Sequence, residues 1–429
     1  MLVGNAVRRV AIVGGLRLPF ARAYGAYAGV GNEEMLTETF HGLVERFALR
    51  GERLGDVIAG AVIKHSRDFN LVRECVLSSG LDPQTPGLDV QRACGTSLEA
   101  AIQIGNKIAL GQIEVGIAGG VDSISDPPIA YPKSYQQLLL RSYLGRSAWQ
   151  RVKPFFGLRP RHFRPVMLAV VEPRTGLSMG QSTELMVKRW KIPRQAQDQL
   201  AYESHMKAAA AWRDGFYADL VQPYRGLAAD NNIRADTSPE KLAKLKPTFD
   251  FGGAGTLTAG NSTPLTDGAS AVLLATDEWA ARRGLPVLAH LAYGKQWAVD
   301  YVSGKEGLLM APAHAVPAML KDAGLTLQEF DYYEIHEAFA GQVLCTLAAW
   351  ESPEYCRDVL GLAAPLGSID RAKLNVKGGS VAIGHPFAAT GTRIVAALAK
   401  LLAADSSARR GLISVCTAGG MGVTAILER

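Results

Sequence analysis

Short apolar strand segments alternate with helical segments along much of this chain, and that alternation limits the possible folds more than any other feature. In the first 125 residues, strands are predicted at 8–15, 55–63, 87–95 and 114–123, and helices at 34–49 and 97–110. Strands that alternate with helices favour a mainly parallel sheet covered by helices on both faces. We therefore predict an α/β fold.

The alternation stops near residue 126 and resumes near residue 249. The intervening segment is rich in proline and has amphipathic helices such as 195–212, which indicates an inserted loop domain. The last part of the chain repeats the strand–helix alternation of the first, with a buried-type strand at 267–276, a helix at 388–402 and a final pair of strands. We predict an N-terminal half (1–125 with 249–290), the insertion (126–248) and a C-terminal half (291–429), as a length of 429 residues allows.

Positive charge is concentrated in the insertion. The net charge of the chain is +6, yet there is no acidic residue between Asp126 and Glu172. The same stretch contains eight cationic residues: Lys133, Arg141, Arg146, Arg151, Lys153, Arg159, Arg161 and Arg164. Such a patch fits an anionic partner, namely phosphates, a lipid surface or an acidic protein face, or else a solvated loop.

Several protein classes are disfavoured by composition and motifs. No apolar run reaches the roughly 18–20 residues of a membrane span, and the N-terminus does not resemble a signal peptide. The five cysteines include no C-x-x-C pair, so we expect reduced thiols, a cytoplasmic protein and no metal site. Neither G-x-G-x-x-G nor G-x-x-x-x-G-K-[ST] occurs, and no nucleic-acid partner is expected.

Cys94 is the strongest candidate nucleophile. It lies in VQRACGTSLEA, between a predicted strand and a predicted helix. Unpaired N–H groups and the dipole at a helix N-terminus favour an anion, so we expect this setting to lower the thiol pKa. A buried, inert cysteine is the alternative.

Three further residues lie at similar corners. His385, in GGSVAIGHPFAATGTR, is placed to act as a base toward a thiol. Cys416, in SVCTAGGMG, precedes glycines whose N–H groups suit an oxyanion, and its thiol suits proton transfer to carbon. His336, in EIHEAFAG, fails the H-E-x-x-H zinc spacing because residue 340 is Ala, but it suits hydrogen bonding to a thioester oxygen. Each alone is also compatible with a structural role.

Together and in this order, the motifs QRACGTSLEA, GTLTAGNSTPLTDGASA, EIHEAFAG, GGSVAIGHP and CTAGGMG resemble the thiolase family over nearly the whole chain. The resemblance implies a five-layer αβαβα fold of two similar halves with an inserted loop domain. It also implies roles: Cys94 as acyl-accepting nucleophile, His385 as base, Cys416 as acid and base, and His336 at the enolate oxygen. The backbone N–H groups of Cys94 and Ala418 would form the oxyanion hole, and Thr263 would lie near the pantetheine arm of coenzyme A.

HEAF in place of the NEAF of many thiolases resembles the β-subunit of the trifunctional fatty-acid oxidation complex. The resemblance thus implies an acetyl-CoA C-acyltransferase of β-oxidation, with coenzyme A as substrate and no permanently bound cofactor. It implies a homodimer, and by analogy contact of residues 133–164 with a membrane or with a hydratase/dehydrogenase subunit. The alternatives are an acetoacetyl-CoA-forming thiolase, a decarboxylating ketoacyl synthase and a non-catalytic lipid or CoA carrier.

Overall fold

The computed structural model describes residues 7–166 and 171–429. The strands of the described residues are β1 (Ala11–Arg17), β2 (Ala21–Arg22), β3 (Asp56–Ala59), β4 (Gly87–Asp89), β5 (Val115–Asp122), β6 (Thr266–Ala275), β7 (Ala289–Ala298), β8 (Tyr332–Ile335), β9 (Arg410–Thr417) and β10 (Met421–Glu428). The α-helices are α1 (Asn32–Arg46), α2 (Leu71–Ser78), α3 (Thr96–Ala109), α4 (Lys133–Tyr143), α5 (Ala148–Val152), α6 (Met179–Arg189), α7 (Arg194–Arg213), α8 (Pro239–Ala243), α9 (Asp277–Arg282), α10 (Ala311–Ala323), α11 (Ala340–Glu351), α12 (Pro353–Asp358), α13 (Ser380–Ile383) and α14 (Thr390–Ala404).

The strands form two groups that meet at a short pairing of β1 with β7. Their order is β4-β3-β5-β6-β1-β7-β10-β9-β8, and β2 pairs with β6 at the side. In the first group, β4, β3 and β5 are parallel to one another, and β6 runs antiparallel to both of its neighbours, β5 and β1. In the second group, β8 and β9 are parallel, and β10 runs antiparallel to both of its neighbours, β9 and β7. A bridge from Tyr333 to Leu374 adds the parallel neighbour that corresponds to β4.

The two groups therefore have the same topology, and apolar clusters pack around them, three of which define the layers. One cluster packs α1 and α2 on the outer face of the first group. A second surrounds α3 and α14 between the two groups, and a third packs α10 and α11 against the second group. The layers run helix, sheet, helix, sheet, helix, and they confirm the predicted αβαβα arrangement.

The two central helices approach each other closely near their N-termini. A Cβ atom on Gly391 would lie 2.3 Å from the backbone nitrogen of Leu98, so only glycine fits there. The Thr392 N–H donates to Ser97 Oγ over 3.0 Å, which fixes the crossing. The segment Phe387–Ala404 has the length and hydropathy of a membrane span, but 78% of it is buried in the protein. It is a core helix, and its N-terminus faces the N-terminus of α3.

The predicted elements are found near their predicted positions, but the predicted mainly parallel pairing is wrong: the sheet is mixed, because β6 and β10 each run antiparallel to both of their neighbours. The predicted helix 97–110 is α3, the helix 195–212 is α7, and the helix 388–402 is α14. The segment between β5 and β6 contains five α-helices among its described residues, α4 to α8. In that segment α7 packs on α11 and α13, which connects the insertion to the C-terminal half.

Candidate active site

Cys94 lies at a tight corner between β4 and α3. The residue before it, Ala93, has a φ of +44°, a left-handed conformation that is strained for a residue with a side chain. The Thr96 hydroxyl donates to the Ala93 carbonyl (2.7 Å) and accepts the Arg92 N–H (2.9 Å), which locks the turn. A Cβ on Gly95 would lie 2.7 Å from the Val423 side chain, so this glycine lets the corner approach β10.

The thiol pKa of Cys94 is raised to about 12, so the predicted lowering is wrong for the free enzyme. Burial is the largest cause, since it removes the water that would solvate a thiolate. Hydrogen bonds from the N–H groups of Ala418 and of Cys94 itself lower the pKa, but they do not offset burial. The two N–H groups assigned to the oxyanion hole thus lie at the thiol, which is neutral before substrate binds.

His336 and His385 lie side by side at the base of the site. Their ring centroids are 4.1 Å apart, and both side chains are buried. The donor atoms of Cys94, His336 and His385 all lie within 4.8 Å of one another. The Nε2 atoms of both histidines are buried and have no hydrogen-bond partner among the described residues. One such nitrogen can donate a hydrogen bond to a bound thioester oxygen, and the other can accept the proton of the thiol.

Both imidazoles are neutral. Burial and, to a smaller degree, the positive charge of Arg393 lower the pKa of His385 to about 3. Burial, His385 and Arg393 also hold the pKa of His336 well below its ordinary value. A neutral imidazole can accept the Cys94 proton, which a permanently charged imidazolium cannot.

Cys416 is the second thiol of the site. It lies in β9 opposite Gly422 of β10, is buried, and has its pKa raised well above the ordinary value by burial and by the nearby Cys94. A neutral thiol beside another thiol can give a proton to carbon while the other carries the acyl group. The remaining cysteines, Cys75, Cys345 and Cys356, are free and buried elsewhere.

Cysteine and two histidines are also a donor set that zinc accepts. The cluster of Cys94, His336 and His385 offers one atom from each residue, and a closed structural zinc site needs a fourth. The same three atoms are arranged for acyl transfer, with an apposed thiol and base.

Glu172 is a buried residue beside the candidate site that the sequence did not indicate. It is 5% exposed, and its carboxylate accepts the N–H of Gly419 (2.6 Å) and the hydroxyl proton of Tyr301 (2.8 Å). Because Gly419 follows Ala418, this carboxylate holds the turn that aims the Ala418 N–H at the Cys94 thiol. The signal in the sequence was weak: Glu172 is the first acidic residue after the basic stretch.

Asp122, Glu337 and Thr263 support the two histidine corners. Asp122 accepts the N–H of Ala388 over 2.7 Å, three residues after His385. Glu337 accepts from Ser204 and Asn375 and so fixes the chain beside His336. The Thr263 hydroxyl donates to the Ser380 carbonyl over 2.9 Å, so it lies next to the segment that leads to His385.

Comparison with known proteins identifies the family of this chain. The family description "Thiolase, N-terminal domain" matches residues 10–278, and "Thiolase, C-terminal domain" matches residues 288–429. The 3-ketoacyl-CoA thiolases of Pectobacterium carotovorum subsp. carotovorum (strain PC1) and Escherichia coli O6:H1 are similar to this chain, with 41% and 40% identity over 426 residues. Each alignment covers 98% of this chain and, respectively, 96% and 97% of the relative.

Two solved structures have a similar fold. The acetyl-CoA acetyltransferase of Bacillus anthracis superposes with a TM-score of 0.82 and 29% identity, covering 99% of this chain and 100% of that one. The Acat5 thiolase of Ascaris suum, in complex with coenzyme A, superposes with a TM-score of 0.79 and 25% identity, covering 98% and 100%.

Proposed function

This chain belongs to the thiolase family of acyltransferases, and we propose that it cleaves 3-ketoacyl-CoA with coenzyme A in the β-oxidation of fatty acids. The observation that carries the proposal is the grouping of Cys94, His336 and His385 within 4.8 Å, beside the Cys416 thiol. The 3-ketoacyl-CoA thiolases that match over 98% of the chain support this substrate class.

In the first half-reaction, Cys94 Sγ attacks the 3-keto carbon as its proton passes to His385 Nε2. The bond between C2 and C3 then breaks, and its electron pair forms the enolate of acetyl-CoA. His336 donates a hydrogen bond to the enolate oxygen, and Cys416 gives its proton to C2. Acetyl-CoA leaves, and the shortened acyl group remains on Cys94 as a thioester.

In the second half-reaction, the thiol of a new coenzyme A gives its proton to the Cys416 thiolate and attacks the acyl carbon. The N–H groups of Cys94 and Ala418 hold the tetrahedral oxygen. Cys94 leaves and takes back the proton stored on His385, so both thiols and the imidazole return to their starting states. Two thiols are required because one holds the acyl chain while the other moves a proton.

The raised pKa of Cys94 determines how the first step begins. Because the resting thiol is neutral, attack and proton transfer to His385 must be coupled. This differs from a cysteine enzyme that keeps a ready thiolate–imidazolium pair.

Coenzyme A is the substrate, and Thr263 is proposed to lie at its pantetheine arm. Coenzyme A bound to the Ascaris suum thiolase supports a binding site of this class. We further propose a cytoplasmic homodimer that works with a hydratase/dehydrogenase subunit, because such a subunit would generate the 3-ketoacyl-CoA that this chain consumes.

Chain-length preference tests the function. We would compare kcat/KM for CoA-dependent thiolysis of acetoacetyl-CoA and 3-ketohexadecanoyl-CoA, with Cys94→Ala as the blank. Preference for the long chain supports a β-oxidation thiolase. Preference for acetoacetyl-CoA would assign the chain to the acetoacetyl-CoA-forming class, and inactivity on both would favour the carrier alternative.

Residues 133–164 form the region that we propose contacts a membrane. All eight of its Lys and Arg residues are exposed, and none of them forms an ion pair within the described part of the chain. Large apolar side chains are exposed among them: Leu140 (56%), Tyr143 (82%), Leu144 (72%), Trp149 (62%) and Phe156 (75%). Cations interleaved with aromatic and aliphatic side chains suit an anionic lipid surface, where both can be satisfied at once.

Charge reversal tests the membrane contact. Changing Arg159, Arg161 and Arg164 to Glu should abolish sedimentation with phosphatidylglycerol-containing vesicles, and wild-type binding should weaken at high salt. A matched control changes three exposed cations of the C-terminal half, Lys321, Arg371 and Arg409, to Glu. Equal binding by both triple variants would contradict the proposal, and loss of partner-subunit binding alone would assign the surface to a protein.

A further inference from the structure

The imidazole of His336 has a two-residue support in the protein interior. Its Nδ1 atom lies 2.8 Å from Ser380 Oγ, and the same Oγ lies 3.0 Å from Nη2 of Arg393. The three side chains are 1%, 0% and 3% exposed, so water does not compete for these contacts. A guanidinium has only N–H groups, and it must therefore donate to the serine oxygen.

The direction of that donation determines where the serine proton goes. Among the described residues, Ser380 Oγ has His336 and Arg393 as its side-chain partners. With Arg393 donating, the hydroxyl proton has one acceptor, the Nδ1 lone pair of His336. The opposite arrangement, with Nδ1–H donating to the serine, would leave a buried hydroxyl proton without an acceptor, which is unfavourable. The neutral imidazole of His336 therefore carries its own proton on Nε2.

His385 has the opposite arrangement. Its Nδ1 lies 2.5 Å from Thr390 Oγ1, and that hydroxyl donates to the Pro386 carbonyl at 3.4 Å. Because the threonine hydroxyl has this second acceptor, its Oγ1 can accept Nδ1–H from His385, which is the tautomer that the proposed role of His385 as a base requires. Its Nε2 keeps a free lone pair. The two neighbouring imidazoles present different groups to the site: an N–H from His336 and a lone pair from His385.

We propose that Ser380, held by Arg393, is a positioning residue that fixes His336 as an Nε2–H donor to the enolate oxygen. The inference rests on the proposed function and deepens it, because it explains how two adjacent histidines keep separate roles. The charge of Arg393 contributes a second effect, since it disfavours protonation of either ring. His336 remains a neutral donor, and His385 remains the base.

The first test is Ser380→Ala. Without the serine hydroxyl, neither the tautomer nor the orientation of the His336 ring is fixed, so the Nε2–H donor is weakened but not removed. Removing an oxyanion donor outright costs about 100- to 1,000-fold in kcat, so we expect a drop of about 10-fold with KM little changed. Exchange of deuterium into C2 of acetyl-CoA should fall by the same factor. Acetyl transfer onto Cys94, which does not use the enolate, should change less than about 2-fold.

The control background is His336→Asn. An asparagine amide donates through its NH2 group and has no tautomer to set. Adding Ser380→Ala in this background should cost less than about 2-fold. An equal loss in both backgrounds would show that Ser380 acts through packing alone, and it would overturn the proposal.

A spectroscopic readout separates this inference from the proposed function. The chain has eight histidines, so 15N-histidine labelling gives a tractable spectrum of the free enzyme. In the wild type, Nδ1 of His336 should resonate as an unprotonated nitrogen and Nε2 as a protonated one, with the reverse pattern for His385. Ser380→Thr, which keeps the hydroxyl, should preserve the pattern, and Ser380→Ala should lose it for His336 only. A protonated Nδ1 in the wild type would overturn the inference even if thiolysis is observed, whereas absent thiolysis would contradict only the proposed function.

Discussion

Strands β5 and β9 occupy the same place in the two halves of the fold, but their C-terminal ends are used differently. When the register of β3 with β5 is aligned with that of β8 with β9, Cys416 corresponds to Val121, and Thr417 to Asp122. In the N-terminal half, the Asp122 carboxylate accepts N–H groups from Val62, Ile63 and Ala388. In the C-terminal half, the corresponding strand end supplies a thiol.

The neighbouring pair of strands shows the same contrast. Gly60 follows β3, where a Cβ would lie 1.8 Å from the Val90 carbonyl oxygen, so no side chain fits. His336 follows β8 at the corresponding position and extends into the site. The C-terminal half thus supplies His336, His385 and Cys416, while the N-terminal half supplies Cys94 and supports for the others. Because the fold contains two similar halves, one half can position the reactive groups while the other supplies most of them.

The largest expected effect comes from removing the one reactive side chain of the N-terminal half. Cys94→Ala should lower kcat for thiolysis by more than about 10,000-fold, because no acyl-enzyme can form. Radiolabelled acetyl-CoA should label the wild type and leave the variant unlabelled. Cys75→Ala, which removes a buried thiol outside the site, should keep its activity. Turnover by the Cys94 variant would mean that the nucleophile is in the other half.

Cys416→Ala tests the division of labour between the two thiols. We expect a loss of about 100- to 10,000-fold in cleavage, since proton transfer to C2 is lost. Acetylation of Cys94 by acetyl-CoA, the reverse of the second half-reaction, should slow far less, because Cys94 still gives its proton to His385 and the coenzyme A thiolate can leave without the Cys416 proton. Failure of both reactions in a folded protein would show that Cys416 also builds the acylation site.

Much of this fold can be predicted from the sequence, because the residue patterns that form strands and helices are local. Helix α3 (Thr96–Ala109) differs by one residue at each end from the prediction over 97–110. The corner at Cys94 follows from a glycine after a strand, whereas the predicted strand before His385 is wrong, since the short helix α13 precedes it; the motif resemblance assigned roles to both residues. These features depend on residues that are close in the chain.

The features of the site that could not be predicted depend on contacts between segments that are distant in the chain. The pKa of Cys94 was expected to be lowered, but burial in the folded protein raises it by more than the N–H groups of Ala418 and Cys94 lower it. Ser380 lies 44 residues from His336, and Glu172 lies 247 residues from Gly419. A single sequence gives no sign that these residues touch, so the supports of a site are harder to predict than its reactive groups.

The pH dependence of alkylation examines the protonation state of the thiols. Because the pKa of Cys94 is raised to about 12, the thiolate fraction should rise about tenfold per pH unit throughout the range from 6 to 10. The rate of iodoacetamide labelling of the free enzyme should follow the same slope without a plateau. A plateau between pH 5 and 8 would instead indicate a thiolate–imidazolium pair, and coupled attack would then be wrong.

The smallest expected effect concerns Asp122, the N-terminal counterpart of the catalytic strand end. In Asp122→Asn, one oxygen still accepts, but the new NH2 group faces a backbone N–H at the other side. Losing one such buried acceptor should lower the free energy of unfolding by about 1–3 kcal/mol. We would measure this by urea denaturation, with Asp126→Asn as control. Asp126 pairs with Arg67 at 2.8 Å, but the arginine is 63% exposed, so that change should cost at most about 1 kcal/mol.

Because the Ala388 N–H tethers the segment after His385, kcat in Asp122→Asn should also fall a few-fold while Asp126→Asn keeps wild-type kcat. Unchanged stability and kcat in Asp122→Asn would remove the positioning role from the N-terminal strand end, and the two halves would then differ only in which residues react.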